Sequence, residues 1–142
     1  MRDESTLDLA AVPLFEPLSD RQRRLIRLAG TERDFAPGAT VLAEGAPGDD
    51  LYVVLAGRAA ALRRGRSVGG FGPGDVFGET AAVAGGPRTA TVVAETGLRC
   101  LVVPRARLKK ELAGAPRAAW LLLETLGRRS QRMLGEDQAD GG

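Results

Sequence analysis

The stretch F-G-E-T-A-A-V-A-G-G-P-R-T-A-T at residues 77–91 decides how we interpret this chain. Gly78 gives the backbone freedom before a segment, 79–84, that is short enough for one or two helical turns. The Gly-Gly-Pro run that follows turns the chain back, and Arg88 is predicted to open a strand beside the start of the short helix. Unpaired N–H groups at a helix start, together with an arginine, predict a phosphate site.

Glu79 stands beside this predicted site, and its carboxylate is unsuited to binding a phosphate because both groups are anions. A carboxylate does accept hydrogen bonds from a sugar hydroxyl. A phosphate and a ribose hydroxyl presented together indicate a nucleotide. Taken alone, Glu79 and Arg88 would more often form a structural ion pair that closes a turn, and that alternative stays open.

Composition excludes several classes of function. The chain has 142 residues, of which 44% are hydrophobic and 27% charged, as expected of one globular domain. It contains no histidine and a single cysteine, Cys100, so the usual ligands of zinc, haem and copper sites are missing. No nucleophile–base pair and no Walker-type loop is present. We therefore expect neither a metal cofactor nor an enzyme.

Hydropathy and charge predict a cytoplasmic protein. No apolar run approaches the ~20 residues that a membrane helix needs, and the N-terminus resembles no signal peptide. A lone cysteine suits a reducing compartment, where we expect Cys100 to be a small buried strand residue. The net charge of +2 does not by itself indicate nucleic-acid binding.

The middle of the chain, about 31–103, has the residue pattern of a mainly β fold. Short runs rich in strand-forming residues alternate with glycine and proline turns, which favours an antiparallel, jelly-roll-like β-roll. Residues 51–55 are apolar on both alternating faces, as in a packed roll. The predicted strands are 40–43, 51–55, 58–63, 67–71, 89–94 and 98–103.

Helices are predicted on both sides of this roll. Ser19 followed by Gln22 is a capping-box pattern, so a helix is predicted over 20–29 with Gly30 as its C-cap. After Pro104 a short helix is predicted over 105–113, ended by Gly114. A longer one is predicted from Pro116 to about residue 134.

The predicted domain organisation follows from these elements. We expect a lead-in over 1–12, one domain over 13–134 and a flexible tail over 135–142. Leu14 and Phe15 are apolar anchors at the start of the domain. Trp120 is predicted to pack in the core or in a dimer interface.

The spacing within 77–91 resembles a known motif. Gly78-Glu79, a short helix, and then Pro87-Arg88-Thr89-Ala90 resemble the phosphate-binding cassette of cyclic-nucleotide-binding domains. That family includes bacterial catabolite activators and the regulatory subunits of cyclic-AMP-dependent kinase. The glycine-containing turns Glu44-Gly45, Gly57 and Pro73-Gly74-Asp75 resemble the same family.

The resemblance implies a role for each matching residue. Glu79 would accept from the ribose 2′-hydroxyl, and Arg88 would pair with the cyclic phosphate. The amides of Ala81 and Thr89 and the Thr89 hydroxyl would also reach the phosphate. Thr80 departs from the family pattern, because an apolar residue is usual there. The full predicted set is Gly78, Glu79, Thr80, Ala81, Arg88, Thr89 and Ala90.

The ligand implied is a cyclic nucleotide, with cyclic AMP preferred over cyclic GMP on family frequency. Threonine at position 89 occurs in family members that prefer either nucleotide. Base contacts in the family often come from the last helix, so Arg129 and Met133 are candidates for capping the base.

The resemblance implies a sensor whose C-terminal helices move when the ligand binds. An unknown effector protein would recognise the change in helix position. About eight residues follow the long helix, so we expect no helix-turn-helix and no specific DNA binding by this chain alone. The apolar stripe Leu122, Leu126 and Met133 fits packing on the roll or a homodimer seam. The alternative is a degenerate domain that binds no ligand and serves in interaction or dimerisation.

Overall fold

Antiparallel pairing of short strands builds two four-stranded sheets that face each other. The computed structural model describes residues 7–117, 119–120 and 122–124, apart from the side chains at 80, 83 and 84. One sheet has the strand order β1-β8-β3-β6 and the other β2-β7-β4-β5. The strands are β1 Thr31–Phe35, β2 Thr40–Leu42, β3 Leu51–Ala56, β4 Ala59–Arg63, β5 Arg66–Phe71, β6 Val76–Phe77, β7 Thr91–Ala94 and β8 Leu98–Val103. The predicted antiparallel β-roll with flanking helices is confirmed.

Strand β3 lies at the centre of the core because both of its faces are apolar. Leu51 and Val53 face a cluster that includes Phe15 from the N-terminal segment. The alternate residue Val54 faces the second sheet. Burying each such side chain stabilises the fold by ~1.5–3 kcal/mol. Because its two faces belong to different clusters, β3 packs against the helical layer on one side and the second sheet on the other.

Strands β1 and β6 were absent from the sequence prediction. The sequence of β1, T-E-R-D-F, is almost entirely exposed, and the strand lies at a sheet edge where it pairs only with β8. Backbone pairing with β8 therefore holds this strand in the sheet. Its sequence has no alternation of apolar residues from which a strand could be predicted. Strand β6 has two residues and is positioned by pairing with β3.

Helix α1, Asp20–Ala29, begins and ends where the sequence predicts. The Ser19 side chain accepts from the Gln22 amide, and the Gln22 side chain accepts from the Ser19 amide, so the capping box is confirmed. Gly30 is the C-cap, but its backbone is extended, with φ −88°. Glycine is needed there for space, since a Cβ would lie 2.7 Å from Cδ1 of Leu101.

The N-terminal segment contributes to the core. It forms two short 3₁₀ turns, Leu9–Ala11 and Pro13–Phe15. Leu14 and Phe15 are buried as predicted, and Leu9 and Val12 are buried with them although they fall in the predicted lead-in. The packing of the roll therefore extends to residues before 13, while the proposed boundary of the domain stays a prediction.

Two further helices complete the described fold: α2, Glu79–Ala84, and α3, Arg105–Ala113. Helical backbone resumes at residue 116, and Leu122 is buried there. Trp120 does not pack in the core, because it is 63% exposed beside a half-exposed Leu123, so that half of the prediction is wrong. The alternative, packing in a dimer interface, stays a prediction. Leu126, Arg129, Met133 and the tail 135–142 lie outside the described residues. No helix within the described part of the chain is long and apolar enough to cross a membrane.

Candidate functional site

The predicted phosphate segment folds as a strand, a sharp turn and a short helix. Strand β6 ends at Phe77, and Gly78 takes the left-handed conformation, with φ +79°, directly before α2. Gly85, at φ +75°, ends the helix and reverses the chain. The short helix predicted from the sequence is confirmed. Arg88, however, precedes the next strand, because β7 begins at Thr91, so the prediction that Arg88 opens the strand is wrong.

Gly78 is required by its surroundings as well as by its backbone angle. A Cβ at this position would lie 2.9 Å from the Asp50 carbonyl oxygen and 3.0 Å from Nη1 of Arg88. Both distances are shorter than ordinary contacts, so the backbone at Gly78 is pressed against the arginine.

Arg88 is the buried charged residue at the centre of the site, with 6% of its surface exposed. Its Nη1 donates to the Gly78 carbonyl oxygen at 3.3 Å. Among the carboxylates that the structure describes, none forms a salt bridge with Arg88. A desolvated cation without a counter-charge is costly, so this guanidinium is suited to an incoming anion.

The backbone of Arg88 is fixed by the loop after β2. Its amide donates to the Ala46 carbonyl at 2.9 Å, and its carbonyl accepts from the Gly45 amide at 2.8 Å. Gly48 packs on the guanidinium, since a Cβ there would lie 3.1 Å from Nε of Arg88. The glycines of this loop thus let the chain close around the arginine.

Tyr52 and Arg63 also belong to the site, although neither was predicted from the sequence. The guanidinium carbon of Arg88 lies 5.8 Å from the centre of the Tyr52 ring. Burial raises the pKa of the Tyr52 phenol above its ordinary value, and the charge of Arg88 opposes that rise. Nε of Arg63 donates to the Thr89 carbonyl at 3.2 Å, which ties the end of β4 to the candidate site. Both contacts join residues far apart in sequence, so no short sequence motif predicts them.

The remaining predicted residues surround this centre. Ala81 is buried on α2, Glu79 is half-buried at the first position of α2, Thr89 is exposed and Ala90 is half-buried. The Thr80 side chain, Arg129 and Met133 lie outside what the structure describes, so their predicted contacts stay predictions.

An open cleft borders the loop after β2, the loop that holds the Arg88 backbone. A cleft of about 550 Å³ separates the loop after β2 from the turn after α2. It is lined by Gly45, Pro47, Gly48, Asp49, Gly85, Gly86 and Pro87. Its volume lies within the ~300–1,000 Å³ typical of small-molecule sites. The described residues include no cluster of three side chains suited to a metal ion.

A second space, about 380 Å³ and mainly apolar, lies between the roll and the C-terminal helices. Glu79 and Arg105 both line it. Nε of Arg105 donates to the Ala82 carbonyl at 3.0 Å, so the first residue of α3 is bonded to α2. The predicted anion site and the C-terminal helices are thus in direct contact.

Residues 32–114 match the family model described as the cyclic nucleotide-binding domain. This range includes every predicted site residue from Gly78 to Ala90.

Two relatives illustrate the sequence similarity. A cGMP-dependent protein kinase of Toxoplasma gondii is 36% identical over 104 residues, which cover 73% of this chain and 10% of the kinase. A CRP-like cAMP-activated global transcriptional regulator of Mycobacterium tuberculosis is 38% identical over 104 residues, covering 70% of this chain and 46% of the regulator. The chain therefore spans less than half the length of these relatives.

Solved structures resemble the whole roll. The N-terminal domain of a transcriptional regulator from Streptomyces coelicolor has a TM-score of 0.75 at 33% identity, covering 92% of this chain and 94% of that one. The catabolite activator protein of Thermus thermophilus has a TM-score of 0.78 at 28% identity, covering 90% and 63%. The cAMP-bound PfPKA-R has a TM-score of 0.84 at 22% identity, covering 94% and 45%, which shows likeness of fold.

Proposed function

This chain belongs to the family of cyclic nucleotide-binding domains, and on that premise we propose that it is a non-catalytic sensor module for a cyclic nucleotide. The observation that carries the proposal is the burial of Arg88 without a described carboxylate partner. The phosphate of a cyclic nucleotide would supply the missing charge through a bidentate guanidinium contact.

The other contacts are proposed around that pair. The ribose 2′-hydroxyl would donate to Glu79, which stands at the start of α2. The amides of Ala81 and Thr89 and the Thr89 hydroxyl would donate to phosphate oxygens. Gly78 supports this arrangement because it keeps the backbone close to Arg88.

We propose cyclic AMP as the preferred ligand, with cyclic GMP as the competing one. The names of the two relatives include a cAMP-activated regulator and a cGMP-dependent kinase, so relatives of this chain are named for each nucleotide. Arg129 and Met133 remain the proposed base-capping residues. No metal is proposed in the site.

The proposed output is a change in the position of the C-terminal helices. The hydrogen bond from Arg105 to Ala82 supports this, because it gives α2 a direct connection to α3. A cytoplasmic effector protein would recognise the new position of these helices. We propose that these 142 residues bind neither specific DNA nor membranes, and that a homodimer is the candidate assembly.

Calorimetric titration of the purified chain with cyclic AMP and with cyclic GMP tests the proposal. We expect binding, and we expect Arg88→Ala to weaken it by ~2–5 kcal/mol, the cost of removing one partner of a desolvated charge pair. Arg107→Ala, an exposed change on α3, should bind as the parent does. Absence of heat at millimolar nucleotide, or full binding by Arg88→Ala, would refute the proposal.

A degenerate domain that binds no ligand is the second candidate. It would use the same fold for assembly and would oligomerise to the same extent with and without nucleotide. Buried Arg88 argues against it, since a domain that had lost its ligand would gain nothing by keeping a desolvated cation. Sedimentation of the chain with and without cyclic AMP distinguishes the two candidates.

A further inference from the structure

Three aromatic rings from three strands form a column that ends at Arg88. Phe71 of β5 lies 5.2 Å from Phe77 of β6, and Phe77 stacks on Tyr52 of β3 at 5.0 Å with an interplanar angle of 10°. Strand pairing places Tyr52 directly opposite Phe77. The guanidinium carbon of Arg88 lies over the Tyr52 ring, 5.8 Å from the ring centre.

The Tyr52 ring is held in place by burial and by its stack on Phe77. Tyr52 is 6% exposed and Phe77 is 2% exposed, and both belong to the core cluster between the sheets. A ring face carries the negative part of the aromatic quadrupole and attracts a cation placed above it. The fixed ring therefore offers Arg88 a fixed electrostatic surface.

The Arg88 side chain needs such a surface. The one hydrogen bond that its guanidinium donates within the described residues, to the Gly78 carbonyl, is long at 3.3 Å. A long, flexible side chain loses conformational entropy when it must hold one geometry. If that order forms only when the ligand binds, it weakens binding, whereas a side chain already ordered in the free protein avoids this cost.

We propose that Tyr52 is a positioning residue that holds the Arg88 guanidinium in place for an anion, through the face of its ring and not through its hydroxyl. The role of Tyr52 rests on the proposed function, since it presumes that Arg88 binds the phosphate. The hydroxyl is dispensable in this arrangement because the ring centre is what lies beneath the guanidinium carbon.

The contact can be tested without any nucleotide, because Tyr52 is the single tyrosine of the chain. Protein grown with 3-fluorotyrosine gives one fluorine NMR resonance. We expect Arg88→Met to shift that resonance and to raise the pH at which the phenol titrates, since the positive charge that favours the phenolate is lost. Arg107→Met should leave both unchanged. Identical spectra for the parent and Arg88→Met would overturn the proposal.

Nucleotide affinity tests the consequence. Tyr52→Phe keeps the ring and should bind cyclic nucleotide within about twofold of the parent, whereas Tyr52→Leu should bind about tenfold more weakly through loss of the cation–π contact. Val54→Ala is the matched control, because it shortens a buried side chain of the same strand and cluster and leaves the Tyr52 ring in place. It should bind like the parent under conditions where circular dichroism shows all variants folded.

The outcomes separate the two proposals. Equal affinity for Tyr52→Leu and the parent, or an equal loss in Val54→Ala, would overturn the positioning role while the proposed function stands. Absence of binding by the parent chain would overturn the proposed function and with it the role of Tyr52 in anion binding. The fluorine spectra would then still decide whether Tyr52 contacts Arg88.

Discussion

Arg105, the first residue of α3, donates a 3.0 Å hydrogen bond from Nε to the carbonyl oxygen of Ala82 on α2. The last carbonyls of a helix have no partner within the helix, so this bond satisfies a group that α2 leaves open. It also means that a movement of α2 changes the surroundings of the first turn of α3. This hydrogen bond therefore connects α2, which begins at the candidate anion site, with α3.

Arg105→Met should weaken this connection. We expect a stability loss of ~1 kcal/mol in urea unfolding, the usual worth of such a hydrogen bond. Trp120 is the single tryptophan and is exposed on the helical stretch after residue 116, so its fluorescence reports on that helix. Nucleotide should change the fluorescence of the parent and change that of Arg105→Met less. The exposed neighbour change Arg107→Met is the control, and equal amplitudes in all three proteins would contradict the prediction.

Gly78→Ala should disrupt the site more than Gly38→Ala does, although both glycines have positive φ. Each substitution places a Cβ on a backbone with positive φ, which costs ~1–3 kcal/mol. At Gly78 the Cβ also meets the Asp50 carbonyl and Arg88 within 3.0 Å, whereas at Gly38 it meets nothing within 4 Å. We expect both variants to be less stable in thermal unfolding and Gly78→Ala alone to lose nucleotide binding in calorimetry. Equal affinities for the two variants would show that space at Gly78 is unimportant.

The sequence predicts those parts of the site that are encoded locally. The Ser19–Gln22 capping box fixes the start of α1, and the glycine spacing around 79–84 fixes the short helix. These signals work because the groups that interact are three or four residues apart, or because a backbone angle demands glycine.

The parts that could not be predicted depend on distant pairing. Tyr52 lies under Arg88, and Arg63 donates to Thr89, only because β3 and β4 are aligned with the candidate site by the sheets. Strand β1 has a charged sequence and joins the sheet through its backbone. Such relationships arise from strand order and register, which a single sequence does not specify.

Asp34 and Arg99 should give the edge of the β1-β8-β3-β6 sheet a measurable pH dependence. Nε of Arg99 donates to Asp34 at 2.8 Å and Nη2 at 3.3 Å, and these hydrogen bonds hold the pKa of the Asp34 carboxyl below its ordinary value. A carboxyl whose pKa is lower in the folded state stabilises the protein above pH 3.8, and that contribution is lost as pH falls through the lowered pKa.

Asp34→Asn should therefore be less stable than the parent at pH 7, and the difference should vanish in strong acid. Urea unfolding across the acid range measures both. The effect should be small and sensitive to salt, because Asp34 is exposed. Glu95→Gln, a change at an exposed turn residue, is the control. A difference between Asp34→Asn and the parent that stays constant down to the lowest pH would contradict the assignment.

Cys100 should be unreactive while the roll is folded. It lies in β8 with no exposed surface, and burial raises the pKa of its thiol to about 12. Because the thiolate is the reactive form, both access and ionisation oppose modification. We expect a thiol-specific reagent at pH 8 to label the native chain at the rate of its unfolding, and the urea-denatured chain at once. Cyclic nucleotide should slow native labelling further if it stabilises the fold, whereas Arg88→Ala should abolish that slowing. Rapid labelling of the folded chain would show that β8 opens locally without global unfolding.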